Sequence, residues 1–338
     1  MTEGEPARAS LGPSAVTHPR LGHGPQVSVV IPVYNEGEDV LPVLRRILDG
    51  VTLPCEVLVV HDMPEDTTVP VVNAYAEKDP RVRAVLNTYG RGPARAIRYG
   101  IEHAGAPCAV VTMADGSDDP RQIDPLARLV ERGVVVAGAS RYMPGGQQVG
   151  GPFLKRALSR GAGLSLYWLA RIGLRDATNS FKAYSTEFVA EVGIHSEAGF
   201  EIGLELAAKA RRLRRPVAEI PTIWLDRQLG SSNFQMAQWI PQYLRWWRFA
   251  FGPRLTVAEV REQAARRTGV ARPEDDRQDG VGDRQDGVGD RQDGVSRQDG
   301  VGDRQDGVSR QDGVSDDQAG KDVRGAVGAD TALGKETA

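Results

Sequence analysis

The feature that most constrains this chain is a series of short, almost uninterrupted apolar runs, each closed by polar residues and separated from the next by a stretch of helical periodicity. VSVVIPV begins at Val27, and CEVLVVHD, RVRAVLN, APCAVVTMAD and VVVAGAS follow it. Runs of this kind, rich in β-branched residues, are the pattern of strands buried on both faces. Between them, Val40, Leu41, Leu44 and Leu48 share one helical face, and VVNAYAEK, GPARAIRYGIEHA and IDPLARLVERG repeat that theme. Strands alternating with helices of this length predict an α/β domain, Rossmann-like, with a mostly parallel central sheet. Ligands of such sheets sit beyond the carboxyl ends of the strands. This chain places Tyr34, Asn35 and Glu36 after the first run, Asp62 after the second, Asp115 after the fourth, and Ser140 and Arg141 after the fifth.

Outside that core the composition changes. Residues 1–25 are rich in Pro, Gly, Ala and Ser and read as a disordered leader. The folded catalytic domain is expected over 26–235, with its later part helical, and an aromatic, amphipathic helical segment over 236–272. Residues 273–338 form a tail of imperfect RQDGVGD and RQDGVS repeats, each unit offering one Val and no aromatic residue. Such units cannot bury a core, so the tail is expected to be disordered; their spacing also departs from calcium-binding glycine-aspartate repeats. From Glu274 onward there are 9 basic and 17 acidic residues, and the remaining 33 basic and 28 acidic residues give the body a net charge of +5. That charge is compatible with phosphate-bearing ligands or anionic lipid, but it is too scattered to indicate nucleic acid. Cys55 and Cys108 lie in or beside apolar runs and read as small buried hydrophobes. No signal peptide or run of membrane-spanning length is visible, so a cytoplasmic location is expected.

Nine local strings occur in one order: PVYNE at 32–36, the acidic second strand end, GRGPARAIRYG at 90–100, MADGSDDP at 113–120, GASRYMPGG at 138–146, DATNSFKAY at 176–184, GFEIGLE at 199–205, EIP at 219–221 and DRQLGSSNF at 226–234. Together they resemble family 2 glycosyltransferases of the GT-A fold, and within them the dolichol- or polyprenol-phosphate mannosyltransferase branch, over about residues 27–250. The resemblance implies an inverting transfer of a hexose, of the mannose or glucose class, from a GDP- or UDP-sugar to a polyprenyl or dolichyl phosphate.

It also assigns residues. Pro32, Tyr34, Glu36 and Asp62 would line the nucleotide pocket, with Arg91 just before a helix N-terminus as a phosphate neighbour. Breaking the sugar–phosphate bond places negative charge on the departing diphosphate, which calls for cations there. Asp115 matches the second Asp of the family's Asp-x-Asp motif, whose first Asp is Met113 here. Carboxylates are suitable hard ligands for Mg2+ or Mn2+, so Asp115 is the expected ligand, with Ser117, Asp118 and Asp119 close enough in sequence to substitute for the missing one. Arg141 and Arg227 match phosphate-contacting arginines, and Asn233 stands where the family has a lysine. Asp176 and Ser231 fall on the acceptor side.

A lipid phosphate is already an anion and attacks without losing a proton, so no general base is required; His61 and His195 read as structural or solvent-facing. Trp239, Tyr243, Trp246, Trp247, Phe249 and Phe251, interleaved with Arg245 and Arg248, suit a headgroup layer. This predicts peripheral attachment to the cytoplasmic face of a membrane, directly or through a membrane-protein partner. Gln242, Arg245 and Trp246 also spell the Q-x-x-R-W pattern of processive polysaccharide synthases, without the acidic motif or membrane spans that accompany it there. Two rivals remain: a glycosyltransferase acting on a sugar hydroxyl, and a non-catalytic nucleotide-sugar binder, the latter motivated by Met113 and Asn233.

Overall fold

The computed structural model describes residues 24–150, 153–225 and 236–268. The leader, the repeat tail and the DRQLGSSNF element with Arg227 and Ser231 lie outside the described residues. The apolar runs form strands β1 (Val27–Pro32), β2 (Cys55–His61), β3 (Val82–Leu86), β4 (Cys108–Val111) and β5 (Val136–Ser140). They alternate with α1 (Val40–Gly50), α2 (Thr68–Ala76), α3 (Pro93–Glu102) and α4 (Ile123–Glu131). All six residues of β1 are buried, because both faces of the sheet are covered. Val27, Val29 and Ile31 meet Val43, Leu44 and Ile47 of α1 together with Ile123 and Leu126 of α4. Val30 belongs to the opposite core, with Leu58 and Val60 of β2 and Ala94, Ile97 and Ile101 of α3. This period-two partition is what the uninterrupted apolar runs encode. Cys55 and Cys108 are free and buried, as expected, and burial pushes the Cys108 thiol up to about 12.

Beyond residue 146 the fold departs from the helical expectation. Besides α5 (Phe153–Ser165), a π-helical turn (Leu166–Ala170), α6 (Thr186–Val192) and α7 (Ile202–Leu213), four strands appear. They are β6 (Gln147–Val149), β7 (Lys182–Ser185), β8 (Val217–Pro221) and β9 (Ile223–Leu225). The main sheet runs β3-β2-β1-β4-β7-β5-β8, and β6 pairs with β9 separately. β7 is antiparallel to both neighbours, β4 and β5, whereas every other pair in the main sheet is parallel. The carboxyl ends of β1, β2, β3, β4, β5 and β8 therefore share one edge, and β7 begins there.

The aromatic segment is the second correction. α8 (Met236–Ala250) packs on α7 and α9 (Val257–Thr268) follows it. Trp246 and Phe249 are fully buried in the core, ring edge to face at 5.6 Å. Tyr243, Trp247 and Phe251 pack against the same cluster, and Trp247 Nε1 donates to Ser165 Oγ at 3.0 Å. These rings cover α7 rather than face a headgroup layer; Trp246 of the Q-x-x-R-W string is a core residue. Thr256 and Glu259 form the capping box that opens α9: Thr256 N donates to Glu259 Oε2 (2.7 Å) and Glu259 N to Thr256 Oγ1 (3.3 Å). Among the described residues no helix is long and apolar enough to cross a membrane.

α3 lies close enough on the sheet that a Cβ on Gly100 would sit 2.3 Å from Val30 Cγ1 and 3.1 Å from Val60 Cγ2. Valine methyls cannot swing aside without leaving their rotamer. Gly100→Ala is expected to cost about 1–3 kcal/mol by overpacking and to lower the thermal midpoint by several degrees in a melting experiment. An unchanged midpoint would refute the close packing.

Candidate active site

Each strand end on the carboxyl edge is fixed by hydrogen bonds to a neighbouring loop. After β1, Tyr34 is exposed and Asn35 takes a left-handed φ of 55°, a conformation Asn tolerates better than most residues. Buried Asp66, which sequence reasoning missed, holds this turn: its Oδ2 accepts from Asn35 N (3.0 Å) and its Oδ1 from Thr68 N (2.8 Å). Asn35 Oδ1 in return accepts from Thr67 N, and Glu36 N donates to Thr68 Oγ1. Pro32 is buried at the end of the strand, and Glu36 is half-buried beside the turn.

After β2, Asp62 accepts from Asn87 Nδ2 (2.8 Å) and from Gly92 N (2.7 Å). It thus joins the ends of β2 and β3 to the glycine turn that opens α3, where Gly92 adopts φ 128°. Arg91 is exposed on that turn. Asn87, buried and also donating to the Gly90 carbonyl, is a second residue missed from sequence. Only its place directly after a strand could have marked it.

The acidic loop after β4 is the most polarised part of the edge. Asp115 is half-buried and accepts from Ser117 N at 3.1 Å. Asp118 is buried; its Oδ2 accepts from Thr112 Oγ1 (2.9 Å) and from Met113 N (3.4 Å). Burial, then the charge of Asp115, push the Asp118 carboxyl up to about 7, against the pull of those two donors and of Arg141. Arg46 of α1 supports the loop from below, donating to the carbonyls of Gly116 (2.8 Å) and Asp118 (3.2 Å). Asp119 stands apart: it caps the short turn at Pro120–Gln122 and is paired with Arg121 at 2.8 Å. The geometry therefore groups Asp115, Ser117 and Asp118 and sets Asp119 aside.

After β5, Arg141 meets Asp176 in a buried, two-pronged ion pair. Nε and Nη2 donate to Oδ2 and Oδ1 at 2.7 and 2.9 Å, and the Arg141 backbone N–H adds a third bond of 3.0 Å. Tyr142 lies 5.0 Å and Trp224 5.8 Å from the guanidinium as ring neighbours. Ser159 of α5 completes the cluster, bonded to Arg141, Tyr142 and Thr178. The sequence placed Arg141 and Asp176 separately, and the fold makes them one unit. Beneath them on β7, Lys182 is fully buried and donates to the Asn179 carbonyl. Burial lowers its ammonium to about 8, with the charge of Asp176 opposing that shift.

The three described histidines serve elsewhere. His61 Nδ1 contacts the Met63 carbonyl at 2.8 Å, His103 stacks on Tyr99 at 3.8 Å, and His195 joins the buried Glu205–Lys209 pair.

A pH dependence follows from Asp118. Its folded value of about 7 lies above its ordinary 3.8, so between the two the native state binds more protons than the unfolded chain. Stability contributed here is present at low pH and lost as pH rises from about 4 to about 7, with a slope of up to about 1.4 kcal/mol per pH unit. Asp118→Asn should flatten that portion of the curve in denaturant unfolding of EDTA-treated protein. Equal slopes in the two proteins would contradict the assignment.

Comparison with known proteins bears on the domain that carries this edge. The chain matches Glycosyl transferase family 2 over residues 28–193. It is 29% identical over 214 residues to undecaprenyl-phosphate mannosyltransferase of Micrococcus luteus, covering 62% of this chain and 87% of that protein. It is 29% identical over 227 residues to polyprenol monophosphomannose synthase of Mycolicibacterium smegmatis, covering 62% and 85%. Among solved structures, glucosyl-3-phosphoglycerate synthase of Mycobacterium tuberculosis, crystallised with Mn2+, UDP and phosphoglyceric acid, shares the fold. Its TM-score is 0.52 at 16% identity, over 68% of this chain and 80% of that one. The ordered motifs, the polar carboxyl edge and these likenesses lead to one conclusion: this chain carries a glycosyl transferase family 2 domain and is a glycosyltransferase.

Proposed function

We propose that the enzyme transfers a hexose, of the mannose or glucose class, from a GDP- or UDP-sugar to a polyprenyl phosphate, with inversion, as a peripheral protein at the cytoplasmic face of a membrane. The observation that carries the acceptor assignment is the Arg141–Asp176 pair. Both carboxylate oxygens of Asp176 accept from Arg141, so this acceptor-side acid is engaged by a cation suited to hold a phosphate rather than left unpaired beside a hydroxyl. A phosphate monoester needs no general base. Its oxygen bonds to the anomeric carbon as the bond from that carbon to the nucleoside diphosphate breaks, and no proton moves. The names of the mannosyltransferase relatives support the same acceptor class.

On the donor side, Pro32, Tyr34, Glu36 and Asp62 surround the place for the base and ribose, and exposed Arg91 lies where the diphosphate would approach α3. Among the described residues no three or more His, Cys, Asp or Glu side chains gather as a metal site. The donor set nevertheless suits Mg2+ or Mn2+, which commonly take one or two carboxylates and complete their shell with substrate phosphate oxygens. Asp115 and Asp118 would supply the carboxylates and Ser117 a hydroxyl. When bound, such a cation offsets the charge that accumulates on the departing diphosphate. Burial and, after it, the charge of Asp115 raise Asp118, and a divalent cation would relieve the second of these. Arg227 and Ser231 complete the reading as a phosphate contact and an acceptor-side residue.

The test is transfer from labelled GDP- and UDP-hexoses to a polyprenyl phosphate with Mn2+, Mg2+ or EDTA. Label should enter the organic phase only with metal, and Asp115→Ala should reduce the rate by at least about a hundredfold, the order seen when a charge-stabilising group is removed. Metal-dependent donor hydrolysis without lipid product would move the assignment to a hydroxyl acceptor. Nucleotide binding without any turnover would identify a non-catalytic binder.

A further inference from the structure

A second polar feature lies away from the carboxyl edge. Arg171, Arg211, Arg214, Arg215 and Arg254 line an open hollow of ≈ 500 Å³ with no acidic residue in its wall. Its floor includes Val217, the first residue of β8, so it sits at the amino end of that strand, opposite the proposed donor site. Two of the arginines are built into the fold. Arg211 donates to the carbonyls of Ala170 (2.7 Å) and Gly252 (3.0 Å), and Arg215 pairs with Glu191 at 2.7 Å. The other three, Arg171, Arg214 and Arg254, form no ion pair with any described carboxylate. Arg171 and Arg214 also adopt φ of 54° and 55°, a left-handed backbone where Gly or Asn is the ordinary choice. Five cations in one wall, three of them without a carboxylate partner, form a hollow suited to an anion.

What flanks the hollow indicates the source of that anion. Trp168 and Leu169, in the turn that leads into Arg171, are 71% and 70% exposed, and Leu158 on α5, about three helical turns earlier, is 55% exposed. The same helix carries Ser159, which touches the Arg141–Asp176 pair. The segment that leads into Arg171 thus exposes large apolar side chains two and three residues before an arginine of the hollow. Apolar side chains for the acyl boundary, with arginines for phosphate, are the two elements of peripheral attachment to anionic lipid.

We propose that the arginine hollow binds phospholipid headgroup phosphates, and that with the exposed Trp168 and Leu169 beside Arg171 it docks the protein on an anionic bilayer. The inference deepens the lipid-acceptor reading by naming the surface that meets the membrane, and it replaces the aromatic face of α8 in that role.

The experiment is flotation of the full chain with vesicles of phosphatidylcholine alone or mixed with phosphatidylglycerol. It compares wild type with Arg171→Asn/Arg214→Asn/Arg254→Gln, in which Asn keeps the left-handed positions acceptable. Wild type should float with the mixed vesicles alone, and the triple variant should bind at least about tenfold more weakly, within the roughly hundredfold that three headgroup-facing cations provide. Trp168→Ser/Leu169→Ser should weaken binding in a way that added salt does not mimic, and matching melting curves would confirm that both variants fold. Transfer to a detergent-dispersed polyprenyl phosphate should be unchanged in the triple variant, so failure of docking and failure of the acceptor assignment are read separately. Equal flotation of wild type and triple variant, equal binding to neutral vesicles, no flotation at all, or displacement by inorganic phosphate at unchanged ionic strength would each overturn the proposal. The last would show a site for a free anion.

Discussion

The arrangement of this edge depends on one interaction, the buried ion pair between Arg141 and Asp176. Arg141 follows β5, and Asp176 lies six residues before β7, so the pair clamps the point where the chain turns back to insert an antiparallel strand between two parallel ones. Their side chains are 11% and 1% exposed, too dry for either charge to stand alone. Removing one partner from such a site costs about 3–5 kcal/mol because the other remains buried and uncompensated. The pair also has to be satisfied beyond its own charges. Ser159 and the backbone N–H of Arg141 do this, tying α5 to the same point. The pair is therefore held rigidly, since both oxygens of its carboxylate accept from Arg141.

The consequences extend beneath the sheet. β7 brings Lys182 under the site, where Gly138 and Gly203 leave room for its side chain; a Cβ on Gly203 would stand 3.3 Å from Lys182 Nζ. Burial disfavours the ammonium and the nearby Asp176 favours it, so the charge of the lysine is coupled to the ion pair above it. A separate buried pair, Glu205 with Lys209 at 2.5 Å, fixes α7 to the loop around His195. In both places a hydrophobic layer admits charge only where the partner is a neighbour on the same or an adjacent element.

Legibility in the sequence followed the physics of burial. β1, β2 and β4 are readable because both faces are covered, leaving no polar interruptions, and the capping box at Thr256–Glu259 is readable because both partners lie within one turn. β7 and β8 are not, because KAYS and VAEIP are too short and too polar to show a period; their strand character comes from the ladder they join. The aromatics of α8 carry the composition of an interface helix, yet the direction they face is set by α7, which lies elsewhere in the chain. The Asp62–Asn87–Gly92 and Asn35–Asp66 links escaped for the same reason, since each joins elements that the sequence separates. The acidic loop could be located but not sorted, because telling Asp118 from Asp119 requires the backbone between them.

That sorting bears on the departure at Met113. Under the proposed reading, a donor diphosphate needs two carboxylates near one cation, and the first position of the family motif has none here. The backbone N–H of Met113 nevertheless donates to Asp118 Oδ2, so a carboxylate stands against the residue where the motif's own acid would begin. It reaches there because Gly116, at φ 70°, lets the loop fold back and Arg46 anchors the Gly116 and Asp118 carbonyls. A carboxylate delivered from the far end of a loop is drier than one on the strand itself, which accounts for its raised protonation in the absence of a cation. Under that reading the second charge would stand at a more buried position than residue 113, and its ionisation would be coupled to the arrival of metal and diphosphate.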